Sequence, residues 1–426
     1  MFARLMQPTT EVLDLPAGMT AAAVRLIFDR LEESGITARF VGGCVRDLVQ
    51  GREIGDLDIA VDAAPERVMS ALGELAVKII PTGIDHGTLT VVSAGHVMEL
   101  TSLRRDVATD GRWAEVSYTD DWLEDAARRD FTMNALYIDQ QGRLYDPVAG
   151  LSDARAGRVR FVGDPTMRIA EDRLRILRYF RFLARFGVGD PDPVALAACR
   201  DAAGQIPNLS AERIQHEMIK LLAAPVAVPC LRLMAEQEIL SFILPEAANF
   251  ARLGRLIEIE RLIGADPDPL LRIIALIDQS TEKINQSTEK VTDIAARWRL
   301  SVASTRRLKD LAAPGNDFAP DLAAPDLRRL VYGLGPENFR YHALLCWAND
   351  KQYTDAQWQA LLQQAADWTV PVFPVRGADL LALGKEAGPE LGQTMKALEE
   401  WWIAADFTPD RDAVLAQLLG GGAGNP

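Results

Sequence analysis

The chain has 426 residues, a formal net charge of −14 and a hydrophobic fraction of 48%, which supports a buried core and, at roughly 100–200 residues per domain, two to four domains. No stretch approaches the roughly 20 apolar residues that cross a bilayer, and residues 1–16 lack the apolar run and cleavage site of a signal peptide, so neither a membrane protein nor an exported one is expected. Cys44, Cys199, Cys230 and Cys346 stand far apart without a CxxC pair, which argues against a zinc site or disulfide framework and for reduced thiols in the cytoplasm; the acidic total argues against a globally basic nucleic-acid binder, so any phosphate-binding surface has to be local.

In chain order, residues 1–20 read as a lead-in and 21–35 as an amphipathic helix. A strand over 39–41 ends at Gly42-Gly43 and is followed by a helix over 45–50. Residues 58–61 read as a second strand, and 65–75 as a helix with proline in its first turn. Residues 77–80, 88–92 and 97–101 read as strands from their β-branched content. Alternation of this kind continues to about residue 150 and describes a small mixed α/β domain. Beyond residue 165 the pattern is helical nearly to the end, with Ser210 as the N-cap of a helix over 211–222. Prolines and glycines then punctuate helices, giving an all-α remainder of two or three sub-domains. Residues 279–283 recur as 286–290, a single duplication better read as a local insertion than as a repeat architecture. The glycine-rich 420–424 reads as a disordered tail.

Two constellations carry chemistry. The first is Gly42-Gly43 with Arg46 and, after a turn, Asp56 and Asp58. Glycines between a strand and a helix let backbone N–H groups approach a phosphate, and Arg46 adds charge there. Residues i and i+2 of a strand share a face. Two carboxylates so placed repel unless a cation lies between them, and hard oxygen donors suit Mg²⁺. Glu99, in the strand over 97–101, is the candidate third carboxylate of a two-metal phosphoryl-transfer site.

The second constellation is a helix over 168–182, in which Asp172 and Arg175 are neighbours three residues apart. An acceptor beside a forked donor matches the Watson–Crick edges of cytosine and adenine. Uracil and guanine present the reverse order and would leave buried groups unpaired at about 1–3 kcal/mol each. Arg178 and Arg181 follow at the same spacing but spiral away, toward a ribose or triphosphate. Every basic residue from Arg104 to Arg185 is arginine, whose planar fork fits phosphates and base edges.

Together with residues 128–136 (RRDFTMNAL) and 209–213 (LSAER), these segments resemble the class II tRNA nucleotidyltransferases, the CCA-adding enzymes and their bacterial poly(A) polymerase relatives. The resemblance is specific over residues 35–225. It implies an α+β fold: a polymerase-β-like head over residues 1–150, a helical neck over 151–225, and an all-α body and tail over 226–426 that bind tRNA. It implies that Asp56 and Asp58 hold Mg²⁺, that Gly43, Arg46 and Arg129 contact the incoming CTP or ATP, and that Asp172, Arg175, Arg178 and Arg181 form the nucleotide-selecting helix. Asp130 and Asn134 match the head motif, with Asn134 read as structural. Residues 82–91 resemble the CCA-adding form of their region, and 104–112 resemble the flexible loop used in switching from C to A. His86 reads as a hydrogen-bonded neighbour, and no His-Asp dipeptide occurs, so a fused phosphohydrolase domain is not expected. The implied reaction is attack of a tRNA 3′-hydroxyl on the α-phosphate of CTP or ATP. The rival readings are a poly(A) polymerase or partial enzyme, and a non-catalytic RNA-binding protein. No protein partner is implied.

Overall fold

A computed structural model of the chain describes residues 6–83, 87–110, 113–277, 284–313 and 318–419. The chain divides into two compact units, Met1–Pro245 and Glu246–Pro426.

The first unit is built on a seven-stranded mixed sheet. Its strands are β1 (Ala38–Val41), β2 (Leu57–Val61), β3 (Lys78–Gly83), β4 (Thr88–Ser93) and β5 (His96–Ser102), with two short additions numbered below. β2 runs parallel to β5, and β1 antiparallel to β2. Helices α1 (Ala22–Glu33) and α3 (Pro65–Leu72) lie together on one face, where Phe28 meets Phe40 at 4.8 Å between ring centroids. Between them in sequence comes the short α2 (Gly43–Val49). The period of two along a strand puts Ile59 and Val61 on one face and Asp58 and Ala60 on the other. Ala60 joins Val41, Leu103, Trp122 and Tyr137 in a second buried cluster.

The segment expected to be a flexible loop is instead a separate antiparallel ribbon. β6 (Arg104–Asp110) pairs with β7 (Trp113–Tyr118) from Arg104↔Tyr118 outward. Its Val, Thr, Trp and Tyr content suits a pleated surface. Gly111 and Arg112, and His86 earlier, lie outside the described residues. The chain returns through α4 (Trp122–Ala127), whose N-cap Asp121 accepts from the Leu123 N–H at 2.8 Å. β8 (Tyr137–Ile138) and β9 (Leu144–Tyr145) then extend the sheet beside β1. These two-residue strands are too short to leave a periodic signal.

The rest of this unit is helical: α5 (Leu151–Ala156), α6 (Pro165–Glu171), α7 (Leu174–Phe186), α8 (Pro193–Ala202), α9 (Ala211–Ala223) and α10 (Ala227–Glu236). α7 packs against α9 and α10 through a stripe that includes Ile176, Leu177, Tyr179 and Phe180. Phe131 and Phe182 meet at 4.7 Å, which ties the sheet-bearing part to α7. Ser210 is the N-cap residue of α9 as expected, although its side chain makes no capping bond.

The second unit contains helices among its described residues, from Phe250–Leu262 to Arg411–Leu419. Trp347 and Trp358 stack in its core, and the Glu260–Arg272 ion pair is buried with them as part of the same unit. A further apolar cluster gathers Val375, Leu380, Leu398, Trp402 and Val414. Residues 279–283 of the duplication and the 420–424 tail lie outside the described residues, while the second copy, 286–290, falls within the helix Ile284–Arg297. No helix among the described residues is long and apolar enough to cross a membrane. None of the four cysteines takes part in a disulfide.

Candidate active site

The strand–helix turn after β1 leaves backbone bare beside a carboxylate. Gly42 sits at φ +72°, where side chains other than glycine are strained. A Cβ on Gly42 would stand 3.6 Å from Arg129 Nη1 and 3.8 Å from Asp58 Oδ2, and one on Gly43 3.7 Å from the same Asp58 oxygen. The glycine pair therefore leaves the edge of Asp58 open. On the neighbouring strand Glu99 is in direct register with Asp58. Burial, reinforced by Glu99 and Asp56 and opposed by Arg129 and Arg46, pushes the Asp58 carboxyl up from 3.8 to about 6. Three carboxylates thus bear on one place, and Arg129 and Arg46 offset their repulsion only in part. Among the described residues no group of three or more acidic, histidine or cysteine side chains stands ready to enclose a metal unaided. The donor set nevertheless fits Mg²⁺, which takes one or two carboxylates and completes its shell with substrate phosphates and water.

Asp56 and Asp58 open into a cleft of about 690 Å³ lined also by Gly43, Cys44, Arg46, Asp47, Glu53, Ile54, Gly55, Arg181, Phe182, Arg185, Phe186, Lys220 and Ala223. Its character changes from one wall to the other. The sheet side carries Glu53, Asp56 and Asp58, and the helical side Arg181, Arg185 and Lys220. Arg46 lies over the Phe186 ring at 3.8 Å and Arg181 over the Phe182 ring at 4.6 Å, contacts that fix the guanidinium planes. Arg52 donates to the Arg185 carbonyl at 3.0 Å. Burial, with Arg185 and Arg52 adding to it, lowers the Arg46 pKa against the pull of Asp47. A crowd of cations held this closely is a ready site for a polyphosphate.

Behind the cleft runs a continuous polar network. Arg46 donates to Asn134 Oδ1 at 2.8 Å, and Asn134 Nδ2 donates to Asp130 Oδ1 at 3.0 Å. Asp130 Oδ2 accepts from Arg178 Nε at 2.8 Å. Arg181 Nε in turn donates to the buried Glu217 of α9. Burial alone would push the Asp130 carboxyl up; Arg178 and Asn134 reverse this and hold it below its ordinary value. Asn134 thus bridges Arg46 and Asp130. In a second node Asp125 of α4, 1% exposed, accepts from Arg128, Arg129 and the Tyr137 hydroxyl. This node sets Arg129 beside Gly42.

The nucleotide-selecting helix differs from expectation. It is broken: α6 ends at Glu171, Asp172 adopts extended backbone at φ −148°, and α7 starts at Leu174. Asp172 Oδ1 accepts from the Leu174 N–H at 3.1 Å, so its side chain competes for backbone in the way that favours caps over helix interiors. Its Oδ2 accepts from Arg213 Nη2 of α9 at 2.7 Å. Arg175 instead donates to the Arg168 carbonyl at 2.7 Å, to the Arg128 carbonyl at 3.2 Å and to Glu171. The neighbour pair inferred from helical spacing is therefore not an ion pair, and each partner is held separately at the joint between α6 and α7.

Of the expected site residues, Gly43, Arg46, Asp56, Asp58 and Arg181 line one cleft. Glu99 and Arg129 bear on it through Asp58. Asp172, Arg175 and Arg178 are not among the lining residues, and Arg178 is occupied by Asp130. Sequence reasoning missed Arg52, Asp125, Arg185, Arg213, Glu217 and Lys220. Only Lys220 carried a signal, as a lysine in a stretch that otherwise uses arginine.

A family model described as the poly A polymerase head domain matches residues 38–160, and one described as the probable RNA and SrmB-binding site of polymerase A matches 190–250. The "CCA tRNA nucleotidyltransferase 1, mitochondrial" of Danio rerio is 32% identical over 392 residues, 89% of this chain and 86% of that protein. The CCA-adding enzyme of Levilactobacillus brevis is 30% identical, covering 92% and 96% of the two chains. Among solved structures, the Bacillus stearothermophilus CCA-adding enzyme in complex with CTP aligns with a TM-score of 0.74 at 26% identity, over 96% of this chain and 98% of that one. The Thermotoga maritima CCA-adding enzyme complexed with tRNA aligns at 0.63 and 18% identity, a likeness of fold alone.

Proposed function

The chain belongs to the family of CCA-adding tRNA nucleotidyltransferases, and from that premise we propose that it adds C, C and A to the 3′ end of tRNA from CTP and ATP, releasing pyrophosphate. The observation that carries this reading is the cleft itself. Asp56 and Asp58, with Glu99 in register, form one wall beside a bare glycine turn, and a cationic wall faces the same space. A protein that only bound RNA would have no use for mutually repelling carboxylates at such a place.

In this reading Asp56 and Asp58 hold Mg²⁺ and Glu99 is the third carboxylate. When bound, the ion supplies charge neutralisation at the α-phosphate and a lower pKa for the attacking hydroxyl. The chain's own residues position the reactants. Gly43 lets the phosphates approach the backbone, and Arg46 and Arg129 take charge from them. Asp172 and Arg175 read the Watson–Crick edge, accepting the amino group of C or A and donating to the ring nitrogen. Arg178 and Arg181 serve the ribose and triphosphate by exchanging Asp130 and Glu217 for substrate oxygens. Residues 1–150 are then the catalytic head, 151–225 the selecting neck, and 226–426 the part that holds tRNA.

The test is incubation with Mg²⁺, a tRNA lacking its terminal CCA, and CTP and ATP singly and together, followed by product sequencing. The expected product is C, C, A and then arrest. Open-ended A addition, partial addition or no addition each refutes the proposal.

A further inference from the structure

Lys78 and Lys220 are the only lysines among residues 1–245; the other basic side chains there are arginines and histidines. Lys78 is exposed on the edge strand β3. Lys220, in the last turn of α9, lines the cleft with Arg181 and Arg185 of α7. In a stretch that otherwise neutralises anions with arginine, the cleft thus receives its one lysine. The difference is chemical. A guanidinium stays protonated in proteins, whereas an ammonium can give up a proton.

In-line displacement at the α-phosphorus sends the leaving group away from the attacking oxygen. With the α-phosphate at the carboxylates, pyrophosphate is repelled by the sheet wall and attracted to the helical wall. We propose that Lys220 is the acid that protonates the departing pyrophosphate. The proposal rests on the CCA-adding reading above. A bond forms between the RNA 3′-oxygen and the α-phosphorus. The bond from that phosphorus to the α,β-bridging oxygen breaks, its electron pair stays on the oxygen, and the Lys220 Nζ proton moves there. The hydroxyl proton goes to solvent, and solvent water reprotonates the amine.

The surroundings suit such a donor. Arg178, Arg181 and Arg185 face Lys220 from α7, and Glu217 from its own helix; Arg46 and Asp47 of α2, Glu53 and Asp56 of the turn, and Asp58 of β2 share the cleft. Burial first, then Arg181, lower the Lys220 pKa, with Glu217 opposing. A donor lowered toward working pH transfers its proton more readily.

Single-turnover addition at saturating CTP is compared for wild type, Lys220→Met and Lys220→Arg. Loss of a positioned proton donor slows chemistry by roughly 10²-fold or more. We expect both variants to show that loss, the arginine variant with KM for CTP near the wild-type value. A β,γ-difluoromethylene analogue of CTP releases a less basic leaving group, and with it the gap between wild type and Lys220→Arg narrows. An arginine variant as fast as wild type overturns the proposal, because charge alone then suffices. A loss of equal size with CTP and the analogue also overturns it. A wild-type chain that adds no nucleotide refutes the proposal together with the function it rests on, whereas wild-type CCA addition beside an unimpaired Lys220→Met variant refutes the proposal alone.

Discussion

Replacing Asp58 by asparagine should abolish nucleotide addition and yet stabilise the metal-free chain. Asn keeps the shape of the side chain and removes the charge that burial, Glu99 and Asp56 oppose. The rise from 3.8 to about 6 is about two pH units, or about 3 kcal/mol at 1.36 kcal/mol each. Partial solvent access screens that, and about 1.5 kcal/mol is the working figure. The sign follows from proton binding. The folded chain holds the Asp58 proton more tightly than the unfolded one, so wild-type stability falls as pH rises from about 4 through about 6 and is level above. Asn does not titrate. The advantage of Asp58→Asn should therefore be absent below about pH 4 and complete above about pH 6 to 7. At 2–4 °C per kcal/mol for units of this size, Tm in chelator at pH 7.5 should rise by about 3–6 °C. Thermal unfolding followed by circular dichroism measures this, with and without Mg²⁺. The ion should raise the wild-type Tm and leave the variant's nearly unchanged. A Tm that falls, or a gain equal at pH 4 and pH 7.5, would refute the claim that Asp58 is held against burial and the repulsion of Glu99 and Asp56.

Two further outcomes test the supporting architecture. Asp172→Ala should cut the preference for CTP and ATP over UTP and GTP by ten-fold or more, from the 1–3 kcal/mol cost of unpaired polar groups. It should do so with a smaller effect on the rate of correct addition, and competition assays with unchanged discrimination would sink the base-reading role. Asp125→Asn strips the anion from Arg128 and Arg129 at a 1% exposed position and should cost about 3 kcal/mol, read by urea unfolding. Although burial opposes it, Arg129 and Arg128 hold the Asp125 carboxyl well below its ordinary value. That stability is present at neutral pH and is lost on acidification, so the wild-type and variant curves should converge in acid.

The sequence by itself determined the local facts. A proline in the first turn of α3, a glycine pair after β1 and β-branched runs specify their elements through neighbouring residues alone. Asp56 and Asp58 were legible as a close carboxylate pair, but only Asp58 lies in β2, and Asp56 stands in the bend before it, outside the strand period that was expected to align them. The α+β division was legible from the change of period near residue 165. Tertiary structure decided what depends on pairing and burial. Glu99 meets Asp58 only because β5 lies beside β2 in parallel register. The ribbon of β6 and β7 exists through its cross-strand pairing, where the family resemblance had implied a flexible loop. An uninterrupted 3.6-residue pattern concealed the break at Asp172, because the carboxylate that caps Leu174 and meets Arg213 depends on where α9 lies. Lys220 stood out in sequence only as a lysine among arginines and Glu217 not at all, until packing turned one into the cleft and buried the other against Arg181. Charges are placed by what surrounds them in space, and desolvation and Coulomb energy act between groups that sequence spacing keeps apart.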